Sequence, residues 1–403
     1  MTAPIRERIE GAGRRAFGAG WSATRVASAP GRIELIGNHL DYNGGPVLAA
    51  AVDRRIWAAS RETGSPGIRA TFADMPERSG EPVVAMAGTA PEPMREGVHP
   101  VNYLIGAIEA LRARDIALIE GLEIVVAGNL PHGVGISSSA ALCVNLVATL
   151  ARDPAAVDNL LLVELAREAE NRTGSPCGAM DQSASIFGDV IRFDGADGSV
   201  QTLRPDLGEH AFLLADSNVV RSLATSSYPV RVRESAEALR LLREAVWPDL
   251  GSLAEVPVSA LPDAEEVLEK SGNPALARRV RHIATETDRV YAAQDALDSG
   301  DWVRFGRLMT ESGRSSAGDY EISHPDVEEL VGCCLEHPGV LGARMMGGGE
   351  GGSVLALFRR SDESSIVAHL DTTYYGSRPG RGAGDSVRAC SIGSGLSVAD
   401  GWS

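Results

Sequence analysis

Lysine is almost absent from this sequence. Lys270 is the only lysine in 403 residues, and arginine supplies the rest of the 38 basic side chains. The common phosphate-binding loop G-x-x-x-x-G-K-[ST] places a lysine directly after its second glycine. Lys270 follows Glu269 rather than a glycine, so the chain lacks this loop, and we expect no mechanism that depends on its lysine.

Basic side chains are also fewer than acidic ones. The chain has 38 basic against 54 acidic side chains, a formal net charge of -16. A surface of negative mean potential binds nucleic acid and anionic membranes poorly, so we expect neither as a partner. An anionic ligand would have to bind through local groups such as a helix dipole, backbone N–H groups, arginine or a metal ion.

Long apolar runs and secretory signals are missing as well. No run approaches the roughly 20 apolar residues of a membrane-spanning helix. Residues 1–20 carry four arginines but no apolar core or cleavage site, so we expect a cytoplasmic protein without a membrane partner. Nothing in the sequence indicates an obligate protein partner. The odd number of cysteines and their spacing predict neither disulfides nor zinc; the cysteines are Cys143, Cys177, Cys333, Cys334 and Cys390.

The length and the patterning predict two domains of α+β class. A chain of 403 residues exceeds what one hydrophobic core usually supports. We place the domains at residues 1–200 and 201–403, because glycine, aspartate and proline cluster between residues 194 and 208. Apolar runs predict strands at residues 33–36, 46–52, 122–127, 190–193 and 211–216. Helical spacing predicts helices at residues 101–112, 137–151, 159–173, 228–244, 274–299, 302–313 and 326–336.

The most informative segment covers residues 122–147, LEIVVAGNLPHGVGISSSAALCVNLV. It reads as a strand, a glycine-rich turn and a helix whose first turn contains three serines. Free N–H groups and the positive dipole end of such a helix favour an anion, so a nucleotide phosphate is the first candidate. The dinucleotide motif G-x-G-x-x-G fails, because Ser138 occupies the third glycine position. An ordinary helix capped by serine is the alternative that this segment alone leaves open.

Six segments, in this order and spacing, resemble those of galactokinases in the GHMP kinase superfamily. They lie at residues 27–53, 122–147, 176–188, 216–234, 305–323 and 342–358, so the similarity extends from about residue 25 to the C-terminus. The resemblance implies a ribosomal protein S5 domain 2-like N-terminal domain and a ferredoxin-like C-terminal domain, with the active site between them. It also implies magnesium-dependent transfer of phosphate from ATP to the C1 hydroxyl of galactose.

The resemblance assigns residues to the phosphate and metal sites. Ser139 and Glu170 match the serine and glutamate that hold Mg²⁺ in this family, and hard oxygen donors suit that ion. Without the resemblance, the pattern favours a solvated helix residue at Glu170, because Glu164 and Glu168 lie on the same helix. The residues expected around the ATP phosphates are Gly133, Val134, Gly135, Ser137, Ser138, Ser139 and Ala140.

Asp181 in GAMDQ matches the catalytic base of the family, and Arg32 in APGRIELIG matches the arginine paired with it. A neighbouring arginine keeps a carboxylate ionised and oriented beside the reacting hydroxyl. Two roles stay open for Asp181, namely removal of the hydroxyl proton and positioning of the hydroxyl. The alternative without the resemblance is a helix N-cap at Asp181.

The sugar is expected to contact Asn38, His39, Asp41, Gly178 and Tyr228, which match the galactose-binding positions of the family. Asp41 can accept two hydroxyl protons and so report the stereochemistry of the sugar. For His39, a purely structural role is the alternative.

Three positions depart from the family pattern: Asn38 replaces a glutamate near the sixth carbon of the sugar, Met346 a threonine and Glu350 a phenylalanine. Asparagine could also accommodate galacturonate, L-arabinose or N-acetylgalactosamine, which are the alternative substrates. A non-catalytic sensor that binds sugar and ATP is the alternative from another functional class.

Overall fold

The computed structural model describes residues 3–74, 83–85, 94, 99–130, 134–174, 177–219, 227–378 and 382–402. Within these residues the chain forms two β-sheets with helices packed against them, the mixed architecture that the sequence predicts. One hydrophobic cluster continues through both parts, and a smaller cluster lies under the N-terminal helix.

The first sheet has eight strands among the described residues, in the order β12-β1-β2-β5-β3-β4, with β6 and β7 joined to the sheet through β2. Its strands are β1 (Arg25–Ile36), β2 (Pro46–Glu62), β3 (Gly67–Phe72), β4 (Val83–Ala85), β5 (Gly121–Gly128), β6 (Val190–Asp194), β7 (Val200–Leu203) and β12 (Ser397–Asp400). The long strand β2 pairs with β6 through its first residues and with β5 through its last. Nearly every residue of β1 is buried, so this strand lies between layers rather than at the surface.

The second sheet is antiparallel, in the order β11-β8-β10-β9. Its strands are β8 (His210–Asp216), β9 (Val340–Met345), β10 (Ser353–Arg359) and β11 (Val387–Cys390). The strands β9 and β10 are in register from Val354 opposite Met345 to Leu357 opposite Gly342, and the glycine loop (residues 347–352) connects them. The loop leaves the second sheet next to β1, because Arg344 near the end of β9 donates to the Leu35 carbonyl of β1 at 3.1 Å.

Helices cover both sheets. Those that precede β8 are α1 (Ala3–Phe17), α2 (Pro100–Ala113), α3 (Ser138–Leu150), α4 (Asn159–Asn171) and α5 (Met180–Phe187). Those that follow β8 are α6 (Tyr228–Ala245), α7 (Leu261–Glu269), α8 (Ala275–Ser299), α9 (Trp302–Gly318), α10 (Pro325–Glu336), α11 (Glu363–Thr373) and the short α12 (Ala383–Ser386). No helix in the described part of the chain combines the length and the apolar character needed to cross a membrane.

The chain passes from the first sheet to the second between Leu203 and His210. Strand β7 still pairs with β6, so the segment on which we centred the boundary belongs to the first sheet. Strand β12 returns the end of the chain to the first sheet, where Ser397 pairs with Ser28. The division at residue 200 stays a prediction.

Candidate active site

Strand β1 delivers Arg32 to the site through an irregularity in its pairing. The register with β2 shifts between Pro30 and Arg32, and such a bulge changes the direction of the following side chains. The Arg32 N–H donates to the carbonyl of Ile136, 3.1 Å away, so the turn before α3 packs directly on β1. Arg32 is thereby placed beside the phosphate-binding segment, whose Gly135 lies 103 residues later in the chain.

Asp181 is held by two donors. Arg32 Nε lies 2.7 Å from Asp181 Oδ1, and the hydroxyl of Ser137 donates to Asp181 Oδ2. Arg32 also donates through Nη1 to the carbonyl of Gly135, at 2.7 Å. Although burial opposes its charge, the neighbouring Asp181 carboxylate raises the pKa of Arg32. Asp181 is the second residue of α5 and Ala179 is the N-cap, so a capping role for Asp181 is wrong.

The helix α3 begins at Ser138, after Ser137 in the left-handed conformation with φ 52° and ψ 53°. The Ser137 side chain makes no capping hydrogen bond, because its hydroxyl donates to Asp181 instead. An ordinary serine cap is therefore wrong for this helix. Ser138 and Ser139 line the cavity at the helix start, where free N–H groups and the helix dipole attract anions.

Two of the residues predicted around the ATP phosphates, Val134 and Ala140, are not among the residues that line the cavity. Val134 and Ala140 are buried in the hydrophobic core, 5% and 1% exposed, and Gly133 lies outside the described residues. The Val134 carbonyl accepts a hydrogen bond from the hydroxyl of Ser353 at 2.9 Å, which joins the phosphate-binding turn to β10. Contacts of these three positions with a nucleotide stay a prediction.

Glu170 is buried at the end of α4 and does not lie on the solvated face of the helix. Its Oε2 accepts a hydrogen bond from Gln182 Nε2 at 2.7 Å. Burial raises the pKa of Glu170, against hydrogen bonds from Ser139 and Gln182 that lower it. Ser139 and Glu170 thus lie together on the wall of the cavity. The described residues contain no cluster of three or more His, Cys, Asp or Glu side chains suited to a metal ion.

The other side of the cavity is formed by the β1 exit loop (residues 37–43). Asn38 donates through Nδ2 to the carbonyl of Gly347 at 2.8 Å, which ties this loop to the glycine loop. Asn38 is 1% exposed, and its Oδ1 has no hydrogen-bond partner within the described part of the chain. The asparagine that departs from the family pattern therefore makes a contact that a glutamate, with no N–H group, cannot make.

His39 belongs to an aromatic cluster in the same loop. Its backbone is left-handed, with φ 62°, and its Nδ1 lies 2.8 Å from the hydroxyl of Tyr42. The Tyr42 hydroxyl lies 2.9 Å from that of Tyr320, and the His39 ring centroid lies 5.1 Å from that of Tyr228. His39 thus has structural partners and also lines the cavity.

Asp41 and Gly178 lie next to each other on the cavity wall. A Cβ atom on Gly178 would come within 2.5 Å of Asp41 Oδ2, so only glycine leaves this carboxylate in place. Burial and the negative charge of Glu34 raise the pKa of Asp41 to about 7.

The two other departures from the family pattern also lie around the glycine loop. Met346 is 2% exposed, lines the cavity and packs toward Gly135. Glu350, in the left-handed conformation, accepts a hydrogen bond through Oε2 from the Ser227 N–H at 2.9 Å. Because Ser227 immediately precedes α6, Glu350 fixes the start of the helix that carries Tyr228.

These elements enclose a cavity of about 400 Å³. Twelve of the predicted site residues line it: Arg32, Asn38, His39, Asp41, Gly135, Ser137, Ser138, Ser139, Glu170, Gly178, Asp181 and Tyr228. The sequence interpretation missed Glu34, a buried carboxylate on the cavity wall that lies 3.3 Å from Arg344 Nη2. Alternation along β1 could have found it, since residues two apart in a strand share a face and Arg32 had been identified.

Comparison with known proteins identifies the family to which this architecture belongs. The galactokinase galactose-binding signature matches residues 14–62, the GHMP kinase N-terminal domain residues 102–189 and the GHMP kinase C-terminal domain residues 293–376. Human galactokinase is 36% identical over 379 residues, which cover 90% of this chain and 91% of that protein. Galactokinase from Chloroflexus aggregans is 35% identical and covers 93% of each chain.

Solved structures agree with the sequence comparisons. The crystal structure of Lactococcus lactis galactokinase complexed with galactose superposes with a TM-score of 0.86 at 27% identity, and covers 98% of this chain and 99% of that chain. Mevalonate kinase from Methanococcus jannaschii shares the fold, with a TM-score of 0.62 at 15% identity over 91% of this chain and 98% of that chain. The predicted GHMP kinase fold is confirmed, and the chain belongs to the galactokinase family.

Proposed function

We propose that this protein is an ATP-dependent galactokinase, which transfers the γ-phosphoryl group of ATP to the C1 hydroxyl of galactose. One observation carries the proposal: the Asp181 carboxylate, held by Arg32 and Ser137, lies in one cavity with the start of α3 on one side and the β1 exit loop on the other. A phosphoryl group bound at the helix start and a hydroxyl bound at the loop would both be adjacent to Asp181.

The arrangement around Asp181 suits an acceptor for the hydroxyl proton. Arg32 and Ser137 each occupy one carboxylate oxygen, so the carboxylate has a fixed orientation and retains lone pairs for a sugar hydroxyl. Asp181 would therefore orient the attacking hydroxyl and take its proton as the bond to phosphorus forms.

The phosphate end of the cavity fits ATP with a magnesium ion. Free N–H groups at the start of α3 would bind phosphate oxygens, and no lysine is needed. Ser139 and Glu170 would hold Mg²⁺, because Mg²⁺ usually takes one or two protein oxygens in addition to water and substrate phosphates. When bound, the ion would neutralise charge on the transferred phosphoryl group.

The sugar end of the cavity fits a neutral sugar better than a uronic acid. Among the described residues, the wall of the whole cavity carries the carboxyl groups of Glu34, Asp41, Glu170 and Asp181 and one guanidinium, Arg32. A substrate carboxylate would add another negative charge to this group at a cost in binding free energy. A hydroxyl group could instead donate to Asn38 Oδ1, the buried acceptor for which the described residues supply no partner. This argument favours galactose over galacturonate.

The test is ADP release from Mg-ATP with galactose, N-acetylgalactosamine, galacturonate, L-arabinose and glucose, compared by kcat/KM. We expect galactose to lead and galacturonate to fall far behind it. 1-Deoxygalactose is the matched control, because it retains every hydroxyl except the proposed nucleophile: it should inhibit competitively without ADP release. A different sugar in the lead would refute the substrate assignment. Stabilisation by galactose with no ADP release for any sugar would favour a sensor instead.

A further inference from the structure

Helix α8 anchors the backbone of the β1 exit loop at two consecutive residues. The N–H of Gly37 donates to Glu286 Oε1 at 2.9 Å, and the carbonyl of Asn38 accepts from His282 Nε2 at 3.1 Å. Both side chains are fully buried and lie on α8, four residues apart, so they share one helix face. The carboxylate of Glu286 thus accepts from the N–H of Gly37, and the ring of His282 donates to the carbonyl of the next loop residue, Asn38.

The loop needs such anchoring because its backbone conformation is unusual. Gly37 has φ 110°, and a Cβ there would lie 2.9 Å from the Pro46 carbonyl oxygen. His39 is also left-handed, a conformation that is unfavourable for a residue with a side chain and persists only when its surroundings fix it. Asn38, His39 and Asp41 all reach the cavity from this loop.

His282 is fixed in one tautomer by its partners. The Asn38 carbonyl can only accept, so Nε2 carries the proton, and Nδ1 lies 2.9 Å from the hydroxyl of Ser315 on α9. The ring stacks on Tyr320 with centroids 4.5 Å apart. Burial lowers the pKa of His282, so the ring is a neutral donor.

The Glu286 carboxylate is also held by neighbouring side chains. Ser312 on α9 donates to Oε1 and Arg289 donates to Oε2, at 2.7 Å for the latter. Burial would raise the pKa of Glu286, but the charges of Arg289 and Arg344 and the hydrogen bond from Ser312 lower it to about 2. The carboxylate is therefore a charged acceptor for the Gly37 N–H. Two side chains on α8 and two serines on α9 thus form a rigid support under the loop.

We propose that His282 and Glu286 are positioning residues for the sugar, which act by fixing the β1 exit loop and do not touch the substrate. The inference rests on the proposed galactokinase function. Part of the sugar affinity would then depend on α8, although no residue of α8 lines the cavity. Among the described residues, neither side chain hydrogen-bonds to the start of α3, the phosphate-binding side, so their effect should be confined to the sugar.

His282→Asn and His282→Gln form a matched pair for the test. Both remove the ring that stacks on Tyr320, but the longer glutamine places its amide N–H near the former Nε2 and can still donate to the Asn38 carbonyl, whereas asparagine cannot. Loss of the donor leaves a buried carbonyl unsatisfied, so we expect His282→Asn to raise the KM for galactose by roughly 5- to 10-fold over His282→Gln. The KM for ATP should stay within about twofold, since one hydrogen bond far from the phosphates is lost.

Asp288→Asn is the control, because Asp288 is an exposed residue of the same helix: its galactose KM should match that of the wild type. Equal galactose KM values for His282→Asn and His282→Gln, or a parallel rise in the KM for ATP, would overturn the inference. If His282→Asn does not fold, Glu286→Gln and Glu286→Leu ask the same question at Gly37, since only glutamine retains an acceptor. If the wild-type protein does not turn over galactose, the proposed function itself is refuted. This result differs from those that would overturn only the present inference.

Discussion

Replacement of Arg32 by lysine tests the centre of the proposed mechanism. The guanidinium uses Nε to bind Asp181 and Nη1 to bind the Gly135 carbonyl, each at 2.7 Å. A planar fork can reach two acceptors in different directions, whereas an ammonium group on a flexible chain acts as a point charge. Arg32→Lys preserves the charge, so any loss reports geometry rather than electrostatics alone.

The size of the effect follows from these two contacts. Arg32 is 7% exposed, so neither bond is weakened much by solvent. Lysine can retain one bond, and loss of the other removes a charge-assisted hydrogen bond worth about 1.5–3 kcal/mol. If this interaction orients Asp181 in the transition state, kcat should fall roughly 10- to 100-fold, since each 1.36 kcal/mol is about a factor of ten. The KM for galactose should change little.

Steady-state rates of ADP release with saturating Mg-ATP measure the effect. Arg61→Lys is the matched control, because Arg61 pairs with Glu123 away from the cavity. Thermal unfolding of both variants would separate a loss of catalysis from a loss of folded protein. The role that we give to the fork geometry would be refuted if kcat for Arg32→Lys lay within about threefold of the Arg61→Lys value, since the calculated loss is larger than that.

Three further predictions concern the same cavity. Asp181→Asn should bind galactose in calorimetry but lose at least roughly 100-fold in kcat; near-normal turnover would contradict its assigned role. Gly178→Ala should raise the KM for galactose roughly tenfold, because the new Cβ displaces Asp41, while an unchanged KM would argue against that clash. If ionised Asp41 accepts sugar hydroxyls, kcat/KM for galactose should fall as pH decreases through about 7, the pKa to which burial and Glu34 raise this group; Asp41→Asn should abolish that dependence, and a flat wild-type profile from pH 5 to 8 would count against it.

Local patterns in the sequence predicted seven of the described helices, but they predicted no strand at β3, β11 or β12. The helix after the phosphate-binding turn was expected at residues 137–151 and is observed as α3, Ser138–Leu150. Strand β1 was predicted too short, because Pro30 and Gly31 usually interrupt a strand. The structure accommodates them at an irregular point of the pairing, where β1 is enclosed by neighbours. Tertiary contacts there override the local preference.

The contacts that shape the sugar end could not be predicted from local pattern. Asn38 was recognised as a departure from the family, but its partner Gly347 lies 309 residues later. His282 and Glu286 look like ordinary polar residues of a long helix, and only the fold shows that they meet the loop 244 and 249 residues earlier in the chain. Motif matching identifies the residues that face a ligand, whereas the residues that hold them depend on the three-dimensional arrangement.

The most direct test of the central claim is product analysis by ³¹P and ¹H NMR after incubation of the wild-type protein with galactose and Mg-ATP. We predict galactose 1-phosphate and ADP in equal amounts, and loss of both products in Asp181→Asn. Phosphate on another hydroxyl would contradict the proposed placement of the C1 hydroxyl at Asp181, and hydrolysis of ATP without a sugar phosphate would contradict the transfer reaction itself.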